Sequence, residues 1–409
     1  MNPNQPINII MFGMSSYTDW EKGIANRNYH ILQTLAKDER VDKIIAVDFL
    51  PIGFNWKRKL KYFYCNLIKG VTACDRDKKI CIGNGETRFG DFTSRCYQIK
   101  SKIYVYSSID NLKTVTKELA EIKKRLGLEN LVVWSYNPFI SDLGEIKKML
   151  GAKAVVFDAV DDWSKHAVYK RQKNLLNKNY KKIKEEADII FTVSKELKEQ
   201  LFGGISKAHW APNGVDVKHF KKLTERVPNS MKDLKHPIIG YEGVIQDRLD
   251  IDLIKYLAKK NPDKSFVFVG WLWRGLDEII NREFASLENV RFTGRKTYDE
   301  LPDYMHLFDV AIIPHKVNEF TKSMNPLKIY EYLACGKPIV STNVSGVEEF
   351  KDFIKVAENK EEFNQYIGEV LNSDSEELKL ARLAEVGGRT WEKRVGAMFN
   401  IITDLSVIT

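Results

Sequence analysis

The feature that most constrains this chain is an alternation of short β-branched runs with longer segments of helical period, performed twice along its length. Strands are expected at 7–13, 43–49, 131–136, 153–160 and 187–193, with amphipathic helices at 25–38, 112–127 and 170–186 between them. After a polar, Pro-containing segment at 223–237 the alternation restarts, with strands at 237–243, 265–270, 289–294, 308–315 and 338–342. Strands that alternate with helices build a parallel sheet covered on both faces. The expected fold class is therefore α/β, with two Rossmann-like doubly wound domains facing a central cleft, where ligands usually sit. The expected bounds are 1–222, 223–388, and a terminal helix within 389–409 that packs back toward the first domain.

Length agrees with this division, because 409 residues exceed what one hydrophobic core usually organises. A content of 44% hydrophobic and 29% charged residues excludes a disordered chain. No basic leader precedes an apolar run, and no window approaches the roughly 18 apolar residues that span a bilayer, so the cytosol is the expected compartment. The five cysteines (Cys65, Cys74, Cys81, Cys96 and Cys335) form no CxxC pair, which fits reduced thiols; their irregular spacing makes a zinc site a minor alternative, and no metal is expected. The net charge of +9 implies attraction to polyanions. It gathers at 55–70 and 169–186, without a helix-turn-helix, zinc-finger or RNA-binding signature, so phosphorylated substrates or anionic lipid are favoured over nucleic acid. The 55–70 stretch interleaves Lys and Arg with Trp56, Tyr62, Phe63 and Tyr64, a mixture that suits either docking on an anionic membrane surface or ordinary core packing beneath solvated lysines.

The most informative segment is SMNPLKIYEYLACGKPIVST at 323–342. Asn325 suits an N-cap, Pro326 a first helical position and Gly336 a C′ position, so a short helix is expected from Pro326. Its N-terminus would offer free N–H groups and the positive dipole end to a diphosphate. Lys328 lies in the first turn and Glu331 three residues on. A cation for phosphate and a carboxylate for ribose hydroxyls are what a nucleotide-sugar requires; the alternative is an ordinary Lys and Glu on a solvent face.

At these residues the C-terminal half resembles the donor domain of glycosyltransferase family four and of teichuronic acid and capsule biosynthesis glycosyltransferases. YEYLACGKPIVST carries the later, ribose-binding Glu of that motif as Glu331, whereas the earlier Glu is replaced by Ser323. The closer likeness is to the teichuronic branch, whose pattern runs NP-K-EYLA-GKP. The resemblance implies the GT-B fold and a metal-independent, hexosyltransferase-type transfer from a UDP-sugar or GDP-sugar, without a cofactor. It implies a donor site holding Gly243, Arg248, Arg295, His315, Ser323, Asn325, Pro326, Leu327, Lys328 and Glu331.

Several of these positions also have a reading of their own. IIGYEGVIQDRLDIDLI at 238–254 is a strand, a glycine turn and a helix; Gly243 lets backbone approach phosphate and Arg248 would neutralise it, or the turn serves topology alone. The GxGxxG fingerprint is absent, which counts against a dinucleotide dehydrogenase. The resemblance places Arg295 and Lys296 beside the nucleobase, while His315 and Lys316 end a strand. Asp158, Asp161 and Asp162 end another strand, where a carboxylate can deprotonate an acceptor hydroxyl; Asp161 is the favoured base, since the resembling enzymes share a YD-VDDW stretch. Gly13, Trp20, Arg27 and His30 resemble an acceptor-side loop, with Arg27 suited to a phosphate and Trp20 and His30 equally suited to packing. Asn213 and Gly214, within the PNGVD signature, are expected to make a structural turn.

The expected activity is glycosyl transfer to a hydroxyl of a glycan or polyprenyl-linked saccharide in cell-surface polysaccharide synthesis, in the cytoplasm or on the inner face of the plasma membrane. Two rivals stand beside it: a sugar-nucleotide epimerase or phosphorylase on the same scaffold, and a non-catalytic carbohydrate-binding or membrane-binding relative.

Overall fold

The computed structural model describes residues 6–21, 23–49, 94–108, 110–223, 226–273 and 275–408. The basic aromatic stretch 55–70, with Cys65, Cys74 and Cys81, lies outside them. Cys96 and Cys335 are buried free thiols.

The chain divides into two compact units, one comprising Met1–Thr192, Lys198–Ala211 and Val395–Thr409, the other Val193–Leu197 and Pro212–Arg394. The main body of the second unit thus starts at Pro212, ahead of residue 223, because Val215 and Phe220 are buried in its core beside Met231 and Tyr304. Most of the terminal helix, Trp391–Ile408, belongs to the first unit, with Val395, Met398, Phe399 and Ile402 all buried.

In the first unit the described strands are β1 (Ile7–Phe12), β2 (Val41–Phe49), β3 (Ser94–Lys100), β4 (Ile103–Ser108), β5 (Leu131–Ser135), β6 (Ala154–Ala159), β7 (Ile189–Thr192) and β8 (Ala208–Trp210). Their order in the sheet is β3-β4-β2-β1-β5-β6-β7-β8, parallel except for the antiparallel edge pair β3–β4. Helices cover both faces, so β1, β4, β5, β6 and β7 are buried along their whole length. The helix Leu112–Leu126 shows how local sequence sets such elements. Asn111 caps it by accepting from the Thr114 N–H, Val115, Leu119 and Ile122 supply its buried stripe, and Gly127 stops it at φ 63°.

The second unit holds β9 (Ile238–Glu242), β10 (Ser265–Val269), β11 (Val290–Gly294), β12 (Val310–Ile313), β13 (Ile339–Thr342) and β14 (Ile354–Ala357). The order β11-β10-β9-β12-β13-β14 is all parallel and reverses direction between β9 and β12, the doubly wound arrangement in which ligands bind beyond the strand ends at the switch. Alternate residues feed two cores: Val267, Val269, Ala311 and Ile313 face one that includes Tyr330 and Leu333, while Phe266, Phe268, Val310 and Ile312 face the other with Leu257 and Phe363. The strands β3, β4, β8 and β14 were not expected from the sequence.

Candidate functional site

The expected helix is present as Leu327–Ala334, and it follows β12 at the topological switch. Its capping differs from the expectation. Pro326 is the N-cap, at φ −65° and ψ 120°, and no side chain caps the helix. Asn325 is engaged elsewhere: its Oδ1 accepts from the Asn213 N–H at 3.0 Å and from Tyr330 Oη at 3.0 Å, while Asn213 Nδ2 donates to its carbonyl at 2.6 Å. The short polar side chain binds the incoming PNGVD segment in place of its own helix, which leaves that terminus without a side-chain acceptor. Gly336 takes the left-handed C′ position at φ 72°.

This helix buries the two charges expected from the sequence. Lys328 and Glu331 are 7% and 6% exposed, so neither sits on a solvent face. The Lys328 ammonium lies 5.2 Å from the centroid of the Tyr241 ring, and among the described residues no hydrogen bond or ion pair engages it. Burial pulls its pKa down to about 8, helped by repulsion from Arg248 and opposed by Glu242 and Glu331. Burial together with the charge of Glu242 pushes Glu331 well above the ordinary carboxylate range, and burial raises Glu242 as well; the two carboxyls hydrogen-bond to each other, as a pair sharing a proton does.

Three further groups complete the cluster. His315, fully buried just past β12, is held neutral by burial and by the charges of Lys328 and Arg248; its Nε2 lies 3.4 Å from Tyr241 Oη and its Nδ1 has no partner. Arg248 enters from the turn after β9, where the Gln246 amide oxygen, suitably turned, accepts from its Nε and Nη2 at 2.7 and 2.8 Å. The backbone N–H of Glu242 donates to Tyr332 Oη at 2.7 Å, which ties the end of β9 to the helix. Lys316 faces away, its Nζ donating to the Asp247 carbonyl at 2.9 Å. Ser323 is also inside, with its Oγ donating to the Phe320 carbonyl at 3.0 Å and its own carbonyl accepting from Ser194 Oγ at 2.7 Å. Glu242 and Tyr241 are members of the cluster that sequence reasoning missed. The available signal was position, since Glu242 ends a strand immediately before the glycine turn.

That turn depends on two glycines. Gly243 adopts φ 131° and its N–H donates to the Val269 carbonyl at 2.9 Å; a Cβ there would lie 3.3 Å from Lys328 Nζ. Gly270 adopts φ 151°, and a Cβ on it would come within 2.0 Å of the Gly243 carbonyl oxygen. Gly270→Ala is expected to cost about 1–3 kcal/mol through overpacking alone. Chemical denaturation checks this; an unchanged midpoint would mean that the two strand ends separate freely.

Arg295, exposed beyond β11, stacks its guanidinium 4.8 Å from the Trp271 ring centroid, and Lys296 lies over Tyr304 at 5.3 Å. A 350 Å³ cavity, lined by Arg226, Pro228, Lys296, Glu300 and Tyr304 among others, shares only Lys296 with these expected positions.

In the first unit the candidate acids separate clearly. Asp158 is fully buried in an ion pair with Arg27, whose Nε donates to both carboxylate oxygens at 3.0 and 3.1 Å. Burial raises the Asp158 pKa against the pull of Arg27. Arg27 is 1% exposed, so in this conformation it does not offer itself to a phosphate. Asp162 is 2% exposed and closes a turn, its Oδ1 accepting from Ser164 N–H at 3.0 Å and Ser164 Oγ at 2.6 Å. Asp161 is half-buried, and its carbonyl accepts from Tyr180 Oη at 3.1 Å. Trp20 packs edge-on to Tyr17 and Tyr29 while its Nε1 donates to Ser15 Oγ at 2.6 Å, and His30 is buried against Tyr29. Gly13 allows a close approach, since a Cβ there would lie 3.0 Å from the Ser15 carbonyl. Among the described residues no group of three or more His, Cys, Asp or Glu is placed to hold a metal ion, and no helix is long and apolar enough to cross a membrane.

Comparison with known proteins finds likenesses to glycosyltransferases. A family model described as glycosyl transferases group 1 matches residues 248–373. TuaH of Bacillus subtilis (strain 168), named provisionally as a teichuronic acid biosynthesis glycosyltransferase, is 30% identical over 214 residues, covering 48% of this chain and 52% of that protein. The chain spans about half the length of the curated relatives it matches. Among solved structures, sucrose-phosphate synthase from Thermosynechococcus elongatus superposes with a TM-score of 0.70 at 13% identity, covering 99% of this chain and 100% of that one. Anabaena HepE in complex with UDP and glucose gives 0.66 at 12% identity, covering 97% and 99%. The chain has the GT-B fold, and its residues 248–373 are similar to glycosyl transferases group 1.

Proposed function

We propose that this chain transfers a glycosyl group from a nucleoside-diphosphate sugar, UDP-linked in preference to GDP-linked, to a hydroxyl of a glycan or lipid-linked saccharide. The observation that carries the reading is Lys328. A buried ammonium that no ion pair engages among the described residues, at a helix N-terminus that no side chain caps and against a glycine turn, is a favourable place for an anion. A diphosphate has the charge and the size. Arg248 and the helix N-terminus would share its charge as the nucleoside diphosphate departs, a purely electrostatic stabilisation of the leaving group. Glu331, one turn along the helix, is suited to the ribose hydroxyls. The preference for uridine and for a cell-surface glycan draws on HepE, solved with UDP and glucose, and on TuaH, whose name refers to teichuronic acid.

Asp161 is the preferred base, because it is half-buried and so can be reached by an acceptor, whereas Asp158 and Asp162 are buried. A base must lie within hydrogen-bond reach of the acceptor hydroxyl. Asp161→Asn is expected to leave nucleotide binding unchanged and to lower transfer by about 10²–10⁴-fold.

Thermal stabilisation across UDP, GDP, their sugar conjugates and NAD tests the donor site, since a ligand that binds only the native state raises its melting point. A shift with a uridine or guanosine diphosphate that Glu331→Ala removes supports the reading. No shift with any nucleotide, or one with NAD alone, overturns it. Nucleotide binding without turnover would favour a non-catalytic relative, in keeping with Ser323 at the place of the family's earlier Glu.

A further inference from the structure

The 350 Å³ cavity of the second unit shares no residue with the phosphate cluster, and the donor-site reading gives it no role. It lies between the turn Asn229–Met231 and the helix Leu301–Met305, with Arg226 and Lys296 also in its wall. Its volume falls at the lower end of the range of small-molecule sites, about 300–1,000 Å³. The walls are braced by bonds of their own. Arg291 Nη1 on β11 donates to the Ser230 carbonyl at 3.1 Å, and Ser230 Oγ lies 3.2 Å from Tyr304 Oη. Glu300 is fixed by a capping box in which Thr297 N–H and Oγ1 both donate to its Oε2, at 2.9 and 2.7 Å. These bonds, with the nearby charges of Lys296 and Arg226, hold the Glu300 carboxyl below the usual carboxylate range, so it stands as an anion.

Charges of both signs face this space without joining across it. Among the described residues Glu300 Oε1 makes no hydrogen bond, no ion pair or hydrogen bond engages Arg226, and the Lys296 ammonium meets the Tyr304 ring in place of a carboxylate. A bare anion would meet Glu300 and Asp303, a cation would meet Lys296 and Arg226, and an apolar ligand would leave all four without partners. A zwitterion matches the charges alone. A polyol matches more, because each hydroxyl both donates and accepts: neighbouring hydroxyls can donate to Glu300 and accept from Arg226, and others can reach the Asn229 amide and the Ser230 and Tyr304 hydroxyls. Val227 and Pro228 give its C–H groups an apolar wall. We propose that this cavity is a second, non-catalytic binding site for a neutral saccharide. The proposal goes beyond the donor-site reading and does not depend on it. Such a site raises the local concentration of a glycan substrate without taking part in transfer.

Saturation-transfer NMR tests it with the methyl glycosides of glucose, galactose, mannose and N-acetylglucosamine, and with glucuronate, glucosamine and glycine as charged controls, each with and without saturating UDP. The proteins are wild type, Arg226→Ala and Asn229→Trp, the last two at exposed positions and checked for an unchanged melting point. At least one neutral glycoside is expected to bind wild type more tightly than any control, whether or not UDP is present. Arg226→Ala should weaken it by about tenfold, the worth of one hydrogen bond to a charged group, and Asn229→Trp, which fills the cavity, should abolish it. Should Asn229→Trp fail to fold, Arg226→Ala decides alone. The site would be overturned by no binding of any neutral glycoside, by tighter binding of a charged control, by variants that bind as wild type does, or by displacement with UDP, which would put the sugar in the donor site. A protein that binds the glycoside as expected but no nucleotide would instead overturn the donor-site reading and leave this site standing.

Discussion

Replacing Lys328 with methionine is expected to do two opposite things: weaken nucleoside diphosphate binding by about 100-fold or more, and raise the melting temperature of the ligand-free protein. The first follows because truncating one partner of a desolvated charge pair costs about 2–5 kcal/mol, and about 2.7 kcal/mol is a hundredfold in affinity. The second follows from the ammonium's own burial. A lysine whose pKa falls from 10.5 to about 8 carries its charge at a penalty of about 3 kcal/mol. Methionine fills similar space without it, so the variant should melt several degrees higher.

The pH dependence has a definite sign. Because the folded pKa lies below the unfolded one, the unfolded chain binds more protons between about 8 and 10.5, and stability rises with pH through that window. The variant's advantage should be full below about pH 8 and fade toward 10.5. Diphosphate affinity of the wild type should run the other way, weakening as pH climbs past about 8 and the ammonium is lost. Melting curves and calorimetry across pH 6–10 (about half-unit steps) check both. If Lys328→Met melted lower and bound nucleotide normally, the lysine would be structural and the proposed donor site would have to be abandoned.

The second large effect is expected in the other unit. Arg27→Ala should destabilise the protein by about 3–5 kcal/mol, because it strands the Asp158 carboxylate in the interior without its partner. Adding Asp158→Asn should recover much of the loss, since the residual buried group is then neutral, and the recovery measures the coupling between the two. Urea unfolding of the two single variants and the double variant, followed by tryptophan fluorescence, makes the measurement. Additive losses would mean that the pair is not coupled as its geometry indicates, and Arg27 would again be available for an acceptor phosphate.

Ten strands were legible because a parallel strand covered on both faces needs an apolar run bounded by turn residues, as in 131–136 or 308–315. The four that were missed lie toward sheet edges. β14 puts the exposed Lys355 between the buried Ile354 and the half-buried Val356, and β8 ends on the half-exposed Trp210. Edge positions relax the apolar requirement and so weaken the signal at β3, β8 and β14; β4 is second in its sheet and buried throughout, so its position does not account for the miss. At the site, the chain order around Pro326, Lys328, Glu331 and Gly336 specified a short helix at the switch from punctuation residues alone. Asn325 misled because an Asn before a helix can serve any nearby backbone, and only the approach of Asn213 selected which.

The sequence by itself determined the two α/β units, the helix at the switch and the residue types that a diphosphate would meet, since these rest on local periodicity, caps and turns. Tertiary structure alone decided the electrostatics. The pairing of Glu331 with Glu242, the isolation of the Lys328 ammonium, the Trp271–Arg295 stack and the burial of Arg27 against Asp158 each join residues far apart in the chain. Their charge states depend on desolvation and on distances of a few ångströms, and neither quantity is a property of local sequence.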